Sequence, residues 1–138
     1  MRKILIVDDE EKLLEILNRA FKKNKAFEVV TATTIEEAEY AIKHAFFDIV
    51  LADIRLTGVL GRQGLELLPY VSEKSPRTKV IIMTAYGSQE IEEEAYERGA
   101  FYYFEKPIDL RILYQKLDEI GIDNRNSPTK KKNTKKRK

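Results

Sequence analysis

The 138-residue chain is predicted to fold as an α/β domain: an open parallel sheet with helices on both faces. Two observations predict this. Five short apolar runs alternate with stretches of helical period. The runs are also apolar on both sides, as strands sandwiched between helix layers must be. The length suits one domain with one core. A composition of 43% hydrophobic and 35% charged residues is that of a globular chain and not of a disordered one.

Residues 3–7 are brief, rich in Ile and Val, and flanked by charge, so they read as a buried strand. Leu13, Ile16, Leu17, Ala20 and Phe21 follow at helical spacing, which predicts a helix from about 10 to 23. Residues 27–32 are the second strand. Thr34 and Glu37 have the spacing of a capping box, opening a helix that runs to about His44. Residues 48–53 are the third strand. Leu65, Leu68 and Val71 mark the third helix, which Ser75-Pro76 closes. Residues 79–83 are the fourth strand. Ser88 caps a fourth helix that ends at Gly99, in the position just past the last helical turn. Residues 101–104 are the fifth strand, and Leu110, Leu113, Tyr114 and Leu117 define the fifth helix.

The chain has no cysteine, which excludes disulfides, thiolate catalysis and cysteine-ligated metals. Its apolar runs are strand-length, far below the ~20 residues of a membrane span. The basic start Met1-Arg2-Lys3 leads into an apolar run that meets acids at once, unlike a secretory signal. A cytoplasmic location is expected. The net charge of +2 hides an asymmetry. Residues 125–138 carry eight of the 25 Lys and Arg and no acid, leaving 17 bases against all 23 acids in 1–124, a net of −6.

In open α/β sheets, ligands bind beyond the carboxyl ends of the strands. The first strand runs straight into acids, in the order Ile4-Leu5-Ile6-Val7-Asp8-Asp9-Glu10-Glu11. Asp53 ends the third strand, Thr84 follows the fourth and Lys106 follows the fifth, so all should meet at one rim. Three carboxylates packed together repel and raise one another's pKa. A divalent cation removes the conflict, and Mg²⁺ favours such hard oxygen ligands. Capping of the next helix accounts for Glu10 and Glu11, and equally well for Asp8 and Asp9 taken alone. Asp53, closing a separate strand, tips the balance toward a metal. An Asp carboxylate can be a nucleophile that forms an aspartyl-phosphate, and Asp53 is the central candidate. Lys106 would neutralise charge and Thr84 would donate to a phosphoryl oxygen. Alone, each would pass as a surface lysine and a strand-end threonine. Pro107 after Lys106 suggests a fixed turn and is a cis-peptide candidate.

Taken together, Val7-Asp8-Asp9 after the first strand, Asp53 ending the third, Met83-Thr84-Ala85 after the fourth and Glu105-Lys106-Pro107 after the fifth resemble the receiver domain of two-component response regulators. The runs from Met83 to Ser88 and from Gly99 to Pro107 most resemble receivers of nitrogen-regulator-type transcription activators. The resemblance implies a (βα)5 flavodoxin-like three-layer sandwich, with a five-stranded sheet of order 2-1-3-4-5. It implies a receiver domain over 1–122; the segment 123–138 that follows is basic and polar with no apolar periodicity, and so is expected to be a disordered tail. Asp53 would accept a phosphoryl group from a sensor histidine kinase or a phosphotransfer protein. Asp8, Asp9, Asp53 and the backbone carbonyl of Arg55 would hold Mg²⁺, with Mn²⁺ as a substitute. Thr84 and Lys106 would contact the phosphoryl oxygens, and Tyr103 would be the aromatic switch that turns inward as Thr84 moves.

The segment after Asp53 departs from the family pattern. Thr57 stands where a proline is usual, and the loop to Gly64 is about three residues longer, with Val59 and Leu60 in it. This reads as a tolerated insertion or a partner contact. Arg55 and Tyr86 flank the site and are candidates for tuning hydrolysis. Between Gln89 and Arg98 only Ile91 and Ala95 are clearly apolar, with Tyr96 amphipathic, so the fourth helix should dock loosely. That makes the face of the fourth helix, fifth strand and fifth helix the expected switching surface, for an unknown downstream target or for phosphorylation-dependent homodimerisation. The tail, with no interleaved aromatics, would make at most weak, nonspecific contact with nucleic acid or an anionic surface. Three rivals stay open. An aspartate-nucleophile phosphatase would want an Asp where Arg55 stands. A flavodoxin-like carrier would want a phosphate loop in place of the acids. A degenerate receiver acting as a constitutive interaction module would not need the intact five-residue set.

Overall fold

A computed structural model describes residues 2–23, 27–53, 63–85 and 87–125, with Gln63, Gly64 and residues 121–125 as backbone only. Arg55, Val59, Leu60, Tyr86 and the basic segment 126–138, on which several expectations fall, lie outside the described residues. The chain divides into two compact units, 1–106 and 107–138.

The first unit contains the whole sheet. Its strands are β1 (Arg2–Val7), β2 (Phe27–Ala32), β3 (Ile49–Asp53), β4 (Lys79–Thr84) and β5 (Tyr102–Glu105). All pairings are parallel, in the order β2-β1-β3-β4-β5. This is the order the family resemblance implies. Between the strands run α1 (Glu11–Lys23), α2 (Ile35–His44), α3 (Leu67–Lys74) and α4 (Gln89–Glu97).

Strand alternation divides the apolar residues between two faces. Leu5, Val7, Val50, Ala52, Val80, Ile82 and Tyr103 share one core with Ala38 and Ile42 of α2, Leu67, Leu68 and Val71 of α3, and Ala95 of α4. Ile4, Ile6, Ile49, Leu51 and Ile81 are equally buried and point the other way. On that side α1 buries Leu14, Leu17 and Phe21, and the Phe21 ring lies 5.6 Å from that of Phe27 in β2. Each such side chain contributes roughly 1.5–3 kcal/mol when removed from water.

The ends of the elements follow local chemistry. Thr34 caps α2 as expected, its Oγ1 accepting from the Glu37 N–H at 3.0 Å. The returning Glu37 carboxylate reaches one residue further back, taking the Thr33 N–H at 2.8 Å and the Thr33 hydroxyl at 3.2 Å. Ser88 caps α4 through the Ile91 N–H at 3.1 Å. Gly99 has φ +111°, a conformation that suits glycine after a helix end. A 3-10 turn, Gln63–Glu66, precedes α3. Pro69 falls in the first turn of that helix, where no intrahelical N–H is needed.

Strand bounds differ from the sequence reading by at most one residue. β1 starts at Arg2, which pairs with Phe27 and sets its guanidinium 4.8 Å from that ring's centre. β5 is shifted one residue on, because Ile81 to Thr84 pair with Tyr102 to Glu105.

The second unit is α5 (Leu110–Arg125), in which Leu113, Leu117 and Ile120 are buried at helical spacing. Asp109 precedes it and accepts from the Arg111 N–H at 2.9 Å. The helix continues past Gly121, where the apolar pattern thins. A helical glycine costs only about 1 kcal/mol relative to alanine.

Candidate functional site

Register builds the site. Val7 pairs with Ala52, and Asp53 pairs with Met83. Asp8, one residue past Val7, is therefore level with Asp53, and Thr84 is one step further along the next strand. Two backbone bonds carry the ladder past the strand ends. Asp8 N–H donates to Ala32 O at 3.0 Å, and Lys106 N–H donates to Thr84 O at 2.8 Å. Those bonds fix the starting points of the Asp8 and Lys106 side chains on one rim.

The side chains converge there. Asp8 is fully buried, and Asp53 is 6% exposed. The Lys106 ammonium donates to Asp8 Oδ2 at 2.9 Å and to Asp53 Oδ2 at 3.2 Å. Asp8 Oδ1 accepts the Glu10 N–H at 2.9 Å, which turns the chain into α1. One oxygen each from Asp8, Asp9 and Asp53 lie within 4.8 Å of one another. Asp9 is the exposed member of the three. Thr84, fully buried, ends the neighbouring strand.

Charge is unbalanced at this rim. Burial pushes the Asp8 carboxyl above its ordinary 3.8, and the charge of Asp53 adds to that; the Glu10 N–H and the Lys106 ammonium oppose it and lose. Burial draws the Lys106 ammonium down, but Asp8 and Asp53 together hold it above its ordinary 10.5. The two directions suit an unequal pairing. One ammonium serves several carboxylates, so it stays charged while Asp8 receives only a share of it. A divalent cation would correct the deficit. The donors are hard oxygens, close together and partly exposed through Asp9, a set that suits a small oxygen-seeking ion.

Tyr103 is 6% exposed and faces the α2–α4 side of the sheet. Burial, then the charges of Glu105 and Glu92, push its hydroxyl pKa up to about 12. The Ser88 backbone tempers the rise without closing a hydrogen bond of good geometry, and the hydroxyl has no such partner among the described residues.

Asp8, Asp9, Asp53 and Lys106 thus meet, with Thr84 and Tyr103 on the adjoining strands. The Arg55 carbonyl lies outside the described residues. Two residues at the site were not singled out from the sequence. Glu10, read as a first-turn acid, sets Oε1 3.6 Å from the Lys106 ammonium. Gly87 packs against Tyr103 and Thr84. Its only sequence signal is a glycine directly before a capping serine, which is too common to single out.

Comparison with known proteins identifies the family. The profile of the response regulator receiver domain matches residues 4–118. The response regulator protein PilR of Pseudomonas aeruginosa is 33% identical over 135 residues, which is 90% of this chain and 29% of that protein. The chain therefore spans less than a third of that relative. Sporulation initiation phosphotransferase F of Bacillus subtilis is 34% identical, over 78% of this chain and 84% of that one. Among solved structures, a CheY-like receiver domain from Methanospirillum hungatei JF-1 superposes with a TM-score of 0.82 at 31% identity, over 91% of this chain and 98% of that one. The beryllofluoride-activated NtrC4 receiver domain dimer superposes with a TM-score of 0.78 at 29% identity, over 87% and 96%.

Proposed function

Because this chain belongs to the response regulator receiver family, we propose that it is a phosphorylation-controlled signalling switch in which Asp53 is the phosphoacceptor. The observation that carries the reading is the Lys106 ammonium held between Asp8 and Asp53, 2.9 and 3.2 Å away, beside three clustered carboxylates. A half-buried ammonium bridging two buried acids from distant parts of the chain is expensive to assemble for stability alone.

The donor phosphohistidine belongs to a sensor kinase or a phosphotransfer protein. An Asp53 oxygen forms a P–O bond to the phosphoryl group as the P–N bond to the histidine breaks, and the imidazole leaves with the electron pair. Asp8, Asp9, Asp53 and the Arg55 carbonyl would hold Mg²⁺, which would supply positive charge to the phosphoryl oxygens. Lys106 then exchanges part of its contact with Asp53 for a phosphoryl oxygen. Thr84 donates its hydroxyl to another, and Tyr103 responds to the movement of Thr84.

The output surface is α4, β5 and α5. Among α4 residues only Ala95 is fully buried, which supports a weakly held element. The NtrC4 neighbour, a dimer in its beryllofluoride-activated form, supports phosphorylation-dependent dimerisation here. The chain catalyses only its own phosphorylation and dephosphorylation, and acts in the cytoplasm through protein contacts. Its basic tail adds weak contact with anionic surfaces.

Incubation with Mg²⁺ and acetyl phosphate, followed by intact-mass measurement, tests the assignment. The wild-type chain should gain one phosphoryl group, and Asp53→Asn should gain none. An unchanged wild-type mass, or equal gain by the variant, rules out Asp53 as acceptor.

A further inference from the structure

Gly87 lies between the two residues read above as the switch. A Cβ built there would collide with the Tyr103 hydroxyl, and would come within 3.0 Å of both Thr84 Cγ2 and Glu105 Oε2. The backbone does not require glycine. Gly99 is the one described glycine with positive φ, so Gly87 adopts a conformation open to any L-residue. What a side chain at 87 would disturb is the space that the Tyr103 hydroxyl fills.

The three neighbours of that space differ in how freely they can yield. The Thr84 methyl is attached at Cβ, one bond from a buried strand backbone. The Tyr103 hydroxyl is the far end of a side chain that can rotate about two bonds. It is also not anchored by a hydrogen bond of good geometry among the described residues. An added methyl is therefore relieved most cheaply by swinging the Tyr103 ring out.

We propose that Gly87 is a positioning residue: its missing side chain forms the slot that admits Tyr103 in the inward position, and so sets the resting balance of the switch. The functional consequence rests on the reading of Thr84 and Tyr103 as the switch pair; the packing consequence does not. Overpacking a well-filled site by one methyl shifts such a balance by about tenfold or more. Gly87→Ala should thus lower the inward-to-outward ratio by about that factor.

The test needs no phosphodonor, so its failure is distinct from failure of the Asp53 assignment. The full 138-residue chain is labelled with 3-fluorotyrosine. The Tyr103 signal is identified by its loss in Tyr103→Phe, and its exposure is read from the ¹⁹F shift between H₂O and D₂O. A buried signal in wild type that becomes solvent-exposed in Gly87→Ala supports the slot. A signal that stays buried in Gly87→Ala overturns it. Should Gly87→Ala not fold, the double variant Gly87→Ala/Tyr103→Phe decides the matter, because it lacks the colliding oxygen. Recovery of cooperative unfolding in the double variant supports the proposal, and failure of the double variant to fold overturns it.

Discussion

At the scale of single residues, the site is a competition between burial and charge. Asp8 binds its proton more tightly in the folded chain than in the unfolded one, because burial holds its pKa above 3.8. A raised carboxyl makes stability fall as pH climbs past 3.8, so ionised Asp8 is a standing cost at neutral pH. Lys106 has the opposite effect. Its raised pKa contributes stability that is fully present below 10.5 and is lost as pH rises above that value. Two outcomes are expected in metal-free buffer. Asp8→Asn should be more stable than wild type at pH 7, and the gap should narrow as pH falls toward 3.8. Urea unfolding of both proteins across that range checks this. A variant less stable than wild type at pH 7 would mean that the Lys106 and Glu10 contacts outweigh burial.

At the scale of elements, the helices differ in how firmly they are held. α1 has a broad apolar stripe with Leu14, Leu17 and Phe21 buried, whereas α4 has Ala95 alone. Leu17→Ala should cost about 2–5 kcal/mol of global stability, since Leu17 is buried in the packed layer beside the sheet. Ser88→Ala removes the cap of α4 and should cost about 1 kcal/mol. That loss should appear in α4 first, as faster amide exchange, with the sheet unaffected. Uniform loss of protection across the chain would show that α4 is not a separately yielding element. The proposed switch would use such a contrast: a rigid sheet to hold Asp53, and one helix able to shift.

At the scale of the whole molecule, the parallel sheet brings together residues that lie up to 98 positions apart, as in the Lys106–Asp8 bond. A cation that binds only the folded state would relieve mutual repulsion at the rim. Mg²⁺ should raise the unfolding midpoint, by an amount equivalent to about 2.7 kcal/mol at a hundredfold excess over its dissociation constant. Asp9→Asn and Asp53→Asn should each reduce that increment, measured by thermal unfolding with and without the ion. An equal increment in all three proteins would place the ion elsewhere.

Periodicity and end signals determined the elements: the apolar runs, the Thr34 and Ser88 caps and the Gly99 stop all lie where the sequence pattern puts them. The alternation of runs and helices determined the α/β class, and so the rim at which Asp8, Asp9, Asp53, Thr84 and Lys106 would meet. Family resemblance supplied the strand order, which no local signal encodes. The tertiary structure alone decided the rest. Strand ends moved by one residue because pairing partners, not propensity, close a ladder. Glu10 reached Lys106 because a turn at Asp8 aims it there. Gly87 acquired a role only once Tyr103, sixteen positions on, was laid across it. Contacts between distant residues depend on register and packing, and neither is written in a neighbourhood of a few residues.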